Sequence, residues 1–90
     1  MAQTVNECLT AALDSVSIID GVKAGTRDVE NMTQTKINEK VKRNVDHLEI
    51  ILTYDGTNDM QPDIVGSSDT RKIDCSNAII TGQEYISANT

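Results

Sequence analysis

The chain has 90 residues, with Lys+Arg 8 against Asp+Glu 14, a net charge of −6, and two tyrosines as its whole aromatic content. Ile, Val and Leu contribute 21 residues, about 23%, just above the roughly 20% at which a highly charged chain is expected to stay disordered, so composition points to one domain, 1–90, with a modest core. The acidic balance disfavours non-specific binding to nucleic acid or an anionic membrane, and no strictly apolar run is longer than Ile50-Ile51-Leu52, far short of a signal-peptide core or a membrane span.

Thr4-Val5-Asn6-Glu7 reads as a capping box, the Thr4 hydroxyl and Glu7 carboxylate answering backbone donors that a first helical turn leaves free. Val5, Cys8, Leu9, Ala12, Leu13, Val16 and Ile19 then recur at helical spacing, and Asp20-Gly21 is the expected end of this first helix. Ala11 and Ile18 fall off the stripe.

The second helix starts at one of several overlapping caps in Asn31-Met32-Thr33-Gln34-Thr35. Ile37, Val41, Val45, Leu48 and Leu52 step by four, four, three and four, with Asn44 and Ile51 beside them, and Glu39 with Arg43 forms a favourable pair on another face. Tyr54-Asp55-Gly56 is its expected end, and Ile50 points away from the stripe.

Residues 57–72 contain Pro62, Gly66 and Ser67-Ser68 without periodicity and form a polar loop, which Ile64-Val65 is placed to tuck down. Asp74 reads as the cap of a third helix, with Ile73 stapled onto Ala78. Cys75, Ala78, Ile79, Gly82, Tyr85 and Ile86 share its apolar face; Gly82 there implies a close backbone neighbour, and Ile80 points outward. The expected fold class is all-α: a three-helix bundle, or a helical hairpin with a third helix laid across it.

Little in the chain carries chemistry. Cys8, His47 and Cys75 fall on three different helices, and zinc accepts thiolate with imidazole, but zinc sites show clustered ligand pairs and none occurs here. The preferred reading is two buried, reduced thiols and a histidine at the border of its helix's apolar face, with a Cys8–Cys75 disulfide as the lesser alternative. Asp55-Gly56-Thr57-Asn58-Asp59 lacks the ligand spacing and closing Glu of a calcium loop and reads as a turn. No phosphate-binding or dinucleotide motif is present. The expectation is a protein with no cofactor, no metal and no catalytic activity.

Two features point instead to binding. Lys36, Lys40, Arg43 and His47 form a basic strip on one flank of the second helix, which reads as a solvated flank or one that meets an acidic protein partner, with nucleic acid as the alternative. Ile18, Ile50 and Ile80 lie outside the core-facing stripes, as side chains in contact with another subunit or protein would, the alternative being helix packing more wrapped than a simple wheel suggests. The candidate contact residues are therefore Ile18, Ile50, Ile80, Lys36, Lys40 and Arg43.

Arg43-Asn44-Val45-Asp46-His47-Leu48-Glu49-Ile50-Ile51-Leu52, with Ala78-Ile79-Ile80-Thr81-Gly82-Gln83-Glu84-Tyr85-Ile86 about twenty-five residues later, resembles a group of short helical proteins of tailed bacteriophages. The resemblance covers residues 37–86, departs in the loop after Gly56, and lies in packing patterns. It implies a virion-associated or assembly protein, in the virion or the host cytoplasm, with no catalytic residues to carry over. The expected partner is protein, as a homo-oligomer or a larger assembly, and the short apolar runs point to neither a secretory signal nor a membrane contact.

Overall fold

The computed structural model describes residues 3–26 and 29–90. Among these, three helices account for the regular structure: α1 (Val5–Ala24), α2 (Gln34–Leu52) and α3 (Arg71–Ala88). All three pairs pack against one another, giving a three-helix bundle of 40 × 22 × 19 Å. None of these helices is long and apolar enough to cross a membrane.

α1 begins at the capping box expected for it. The Glu7 amide donates to Thr4 Oγ1 at 3.1 Å and the Thr4 amide to Glu7 Oε1 at 3.2 Å. It does not stop at Asp20-Gly21. The helix runs one turn further to Ala24 and closes on Gly25, whose φ of 75° is the left-handed cap and whose amide reaches the carbonyls of Gly21 and Val22. Burial decides between the two glycines, because Val22 continues the apolar stripe and is sequestered only if the helix persists.

α2 starts after Thr33, whose side chain accepts from the Lys36 amide at 3.2 Å. Ile37, Val41, Val45, Leu48 and Ile51 are buried, and the helix ends at Leu52, just before the expected Tyr54-Asp55-Gly56. Glu39 pairs with Lys36 at 3.6 Å, on the turn before the anticipated Arg43.

α3 starts a turn earlier than the sequence suggests, and Asp74 is a first-turn residue inside it. The residue that organises the start is Asp69. Its carboxylate accepts from the Arg71 amide at 2.9 Å and from the Arg71 guanidinium at 3.0 and 2.8 Å. Ile73 is thereby carried into the helix and faces solvent, where a staple onto Ala78 was expected.

Side-chain ties fix the helix directions. The Arg71 guanidinium donates to Asn6 Oδ1 at 3.2 Å and Thr10 Oγ1 at 3.3 Å, which puts the starts of α1 and α3 at one end. Asn38 Nδ2 donates to the Asn89 carbonyl at 3.1 Å, joining the start of α2 to the end of α3. The bundle therefore runs up, down, up. Its main core gathers Ala12, Ile19, Val41, Val45, Leu48 and Cys75 among others, and a smaller cluster joins Cys8 and Leu9 to Ile64 of the loop.

Small residues let the axes approach. Ser15, left out of the sequence's apolar stripe, is buried with Ala12 and Ile19 on the same face. At Gly82 a Cβ would overlap Val45 Cγ2 and stand 3.2 Å from Val41 Cγ1. The close neighbours are thus valine side chains of α2, where the sequence suggested backbone.

The long connection is pinned at several points. Ile64 is fully buried, and its amide and that of Val65 both donate to the Tyr54 carbonyl, at 2.9 and 2.8 Å. Asp55 and Asp63 pair in an isolated antiparallel bridge, and the Gln3 amide donates to the Met60 carbonyl at 3.2 Å. Lys72 Nζ donates to the carbonyls of Val65 and Ser67, at 2.9 Å each. Val65 itself stays exposed, so only Ile64 of the pair tucks inward.

Candidate interaction surface

The outward isoleucines separate into two kinds. Ile50 and Ile80 are more than half exposed. Ile18 is only half-buried, because it lies between buried Ser15 and Val22, three residues before it and four after it, on the flank of α1. The core-facing surface of α1 is wider on that side than a single stripe suggests, which corrects the fully outward placement of Ile18.

Among the described residues, the other large apolar side chains that are more than half exposed are Met60, Val65 and Ile73. Ile50 belongs to the last turn of α2, Met60 and Val65 to the connection, and Ile73 to the first turn of α3. The topology brings these four residues to one end of the bundle. Ile80 follows Ile73 by seven residues, two turns or about 10 Å along the same face of α3. The backbone beneath this end is held by the bonds of the Tyr54 carbonyl, Lys72 and the Asp69–Arg71 pair, so these side chains are displayed on a fixed frame.

Sequence patterning found Ile50 and Ile80 and missed Ile73, Met60 and Val65. For Ile73 a usable signal existed: Asp69 two residues before Arg71 can cap the backbone and pair with the guanidinium at once. Arg71 holds the Asp69 carboxyl down to about 2, mainly through the side-chain hydrogen bond.

The basic strip is exposed at Lys36, Arg43 and His47 and half-buried at Lys40. Arg43, His47 and Ile50 follow at four and three residues, so the strip leads along α2 toward the apolar end. Lys36 shares its charge with Glu39 at 3.6 Å, and a separate pair joins Lys42 to Asp46 at 2.9 Å. Lys40 and Arg43 make no ion pair among the described residues.

Cys8 and Cys75 are free, buried, and in different clusters. Burial pushes both thiols up, with Glu7 adding to the effect at Cys8 and Asp74 at Cys75. Each is protonated at neutral pH and a poor nucleophile. The Cys8 thiol donates to Gln3 Oε1 at 3.2 Å. His47 is exposed on α2, and among the described residues no three His, Cys, Asp or Glu side chains are grouped to hold a metal ion.

Shallow grooves run along the helix seams. The one between α1 and α3, about 300 Å³, has a floor of Leu13, Val16 and Ala78 and is edged by Asp20 and Asp74. Another, about 370 Å³, lies where the start of α2 meets the end of α3, beside Asn38, Lys42 and Ile86.

No family model matches the chain, and no curated protein or solved structure matches it either.

Proposed function

We propose that this chain is a small non-catalytic structural or interaction module that packs in multiple copies against a larger assembly. The particle of a tailed bacteriophage is the assembly that its resemblance to short helical phage proteins implies, with the virion or host cytoplasm as its place. The observation that carries the reading is the apolar end of the bundle, where Ile50, Met60, Val65 and Ile73 are exposed on a pinned frame. Apolar groups exposed at one end of a small domain are candidates for contact with another protein, and a backbone held by hydrogen bonds lowers the ordering cost of binding. Ile80 extends the surface along α3, Ile18 contributes only its exposed part, and Lys36, Lys40 and Arg43 set orientation from the flank.

The test is size fractionation of the native lysate. The chain is expected in a high-mass fraction, and Ile50→Asp, on an exposed position, is expected to keep its helicity and move to the free fraction. Wild-type protein found wholly in the free fraction, or an unmoved variant, contradicts the proposal. The alternative reading, a small acidic regulatory protein contacting nucleic acid or a nucleic-acid-binding protein through Lys36, Lys40 and Arg43, draws on the exposed cations of α2. Direct nucleic-acid contact predicts binding that falls steeply with salt.

A further inference from the structure

Among the described residues the groove between α1 and α3 is lined by Leu13, Val16, Asp20, Asp74, Asn77, Ala78 and Thr81, two of them acids and none a base. Because α2 fills the opposite side of that seam, the groove opens away from α2. The basic flank of α2 therefore lies on a different side of the bundle. The two surfaces are complementary in charge and also in spacing. The Arg71–Thr10 bond sets the level of α3 against α1, which places Asp20 beside Thr81, a residue that lines the same groove. Asp74 is seven residues before Thr81, and Lys36 is seven residues before Arg43; in both cases the rise is about 10 Å. Between the two carboxylates lies the apolar floor of Leu13, Val16 and Ala78, suited to the aliphatic stem of Lys40.

We infer that the occupant of this groove is a second copy of the chain, which lays the Lys36–Lys40–Arg43 flank of its α2 between Asp20 and Asp74. The contact deepens the reading of the protein as a multi-copy module and rests on it. Since it joins two different surfaces, it either repeats head to tail into a ring or a filament or, where both surfaces of a pair engage at once, closes as a two-fold dimer. The cationic side chains meet carboxylates at both ends of the groove, while the net charge of −6 opposes association at long range. Salt distinguishes the two effects, since a local basic-to-acidic contact weakens as salt rises and overall repulsion is relieved by it.

Sedimentation velocity on the purified full chain tests the inference. Wild-type protein is expected to associate at low salt and dissociate at high salt. Lys36→Glu with Arg43→Glu, and separately Asp20→Lys with Asp74→Lys, change exposed positions only, and each double variant is expected to remain folded by circular dichroism and lose association. Mixed in equal amounts, the two are expected to associate again, because each supplies the surface complementary to the other's reversed one, although both remain net acidic. Four results overturn the inference: a wild-type monomer at every concentration and salt, association strengthened by salt, reversed variants that associate as wild type does, or a mixture that stays monomeric. Retention of duplex DNA by the wild type and not by the Lys36/Arg43 variant assigns the flank to nucleic acid and overturns it as well. Failure here differs from failure of the apolar-end reading. An oligomer dissolved by Ile50→Asp and indifferent to the charge reversals leaves that reading standing alone; a monomer that still enters the high-mass fraction of the native lysate does the same.

Discussion

Replacing Gly82 with Ala tests how tightly α3 is set against α2. In an open helix the change stabilises by about 1 kcal/mol, because glycine gives up more backbone freedom on folding. Here the added Cβ overlaps Val45 Cγ2, lies 3.2 Å from Val41 Cγ1 and reaches ordinary contact with Ile19 Cγ2 at 3.5 Å. Val45 and Val41 are buried and β-branched, so neither can swing aside without displacing its neighbours. Overpacking of this kind costs about 1–3 kcal/mol, and the net expectation is a loss of about 1 kcal/mol. For a domain of this size that lowers Tm by about 4–8 °C. Val45→Ala opens the space that the new methyl needs. Alone it costs about 2 kcal/mol in lost burial, and combined with Gly82→Ala it is expected to cost less than the two single losses together, by about 2 kcal/mol, the overpacking it relieves. Urea unfolding followed by circular dichroism measures all four proteins. A Gly82→Ala protein more stable than wild type, or a strictly additive double variant, refutes the packing argument.

Ile64→Ala removes the side chain that fastens the connection to Cys8 and Leu9; a loss of about 2–5 kcal/mol is expected, and hydrogen exchange at the Ile64 and Val65 amides should accelerate more than at the α2 core. Uniform acceleration contradicts the anchoring role. The Asp69 carboxyl, depressed from 3.8 to about 2 by Arg71, stabilises the folded state in full above its unfolded value and loses that contribution as pH falls from about 4 through 2. Asp69→Asn should flatten this part of the acid-unfolding profile, and an Asp69 titration midpoint near 4 by NMR contradicts the pairing. Cys75, buried in the main core, should react with a thiol reagent only as fast as the fold opens, so urea accelerates labelling sharply; rapid labelling of native protein contradicts its placement.

The all-α fold was legible because α2 states it almost position by position: Ile37, Val41, Val45 and Leu48 are all buried as their spacing requires. The start of α1 was legible because a capping box is local chemistry between Thr4 and Glu7. What escaped depends on partners distant in sequence. Gly21 and Gly25 are equivalent stop signals until the burial of Val22 selects the second. Asp69 and Asp74 are equivalent caps until the Asp69–Arg71 fork, itself anchored to Asn6 and Thr10 of α1, fixes the earlier start. The order of the 57–72 segment rests on the Tyr54 carbonyl, the Lys72 ammonium and the pocket around Ile64, none of which leaves a periodic trace. The candidate contact surface shows the same division. Periodicity exposed Ile50 and Ile80, and the Asp69–Arg71 spacing carried a signal for the cap shift that moves Ile73 outward, but the folding of Met60 and Val65 to the same end follows only from the tertiary arrangement.

The proposed function places the contact with the assembly at the end of the bundle that bears Ile50 and Ile73. Site-specific photo-crosslinking in the native cell tests it, with the probe placed in turn at Ile50, at Ile73, and at Ser87, an exposed position near the end of α3 at the opposite end of the bundle. A discrete high-mass adduct is expected from Ile50 and Ile73, and none of matching size or yield from Ser87. No adduct from the apolar end, or equal adducts from all three positions, contradicts it.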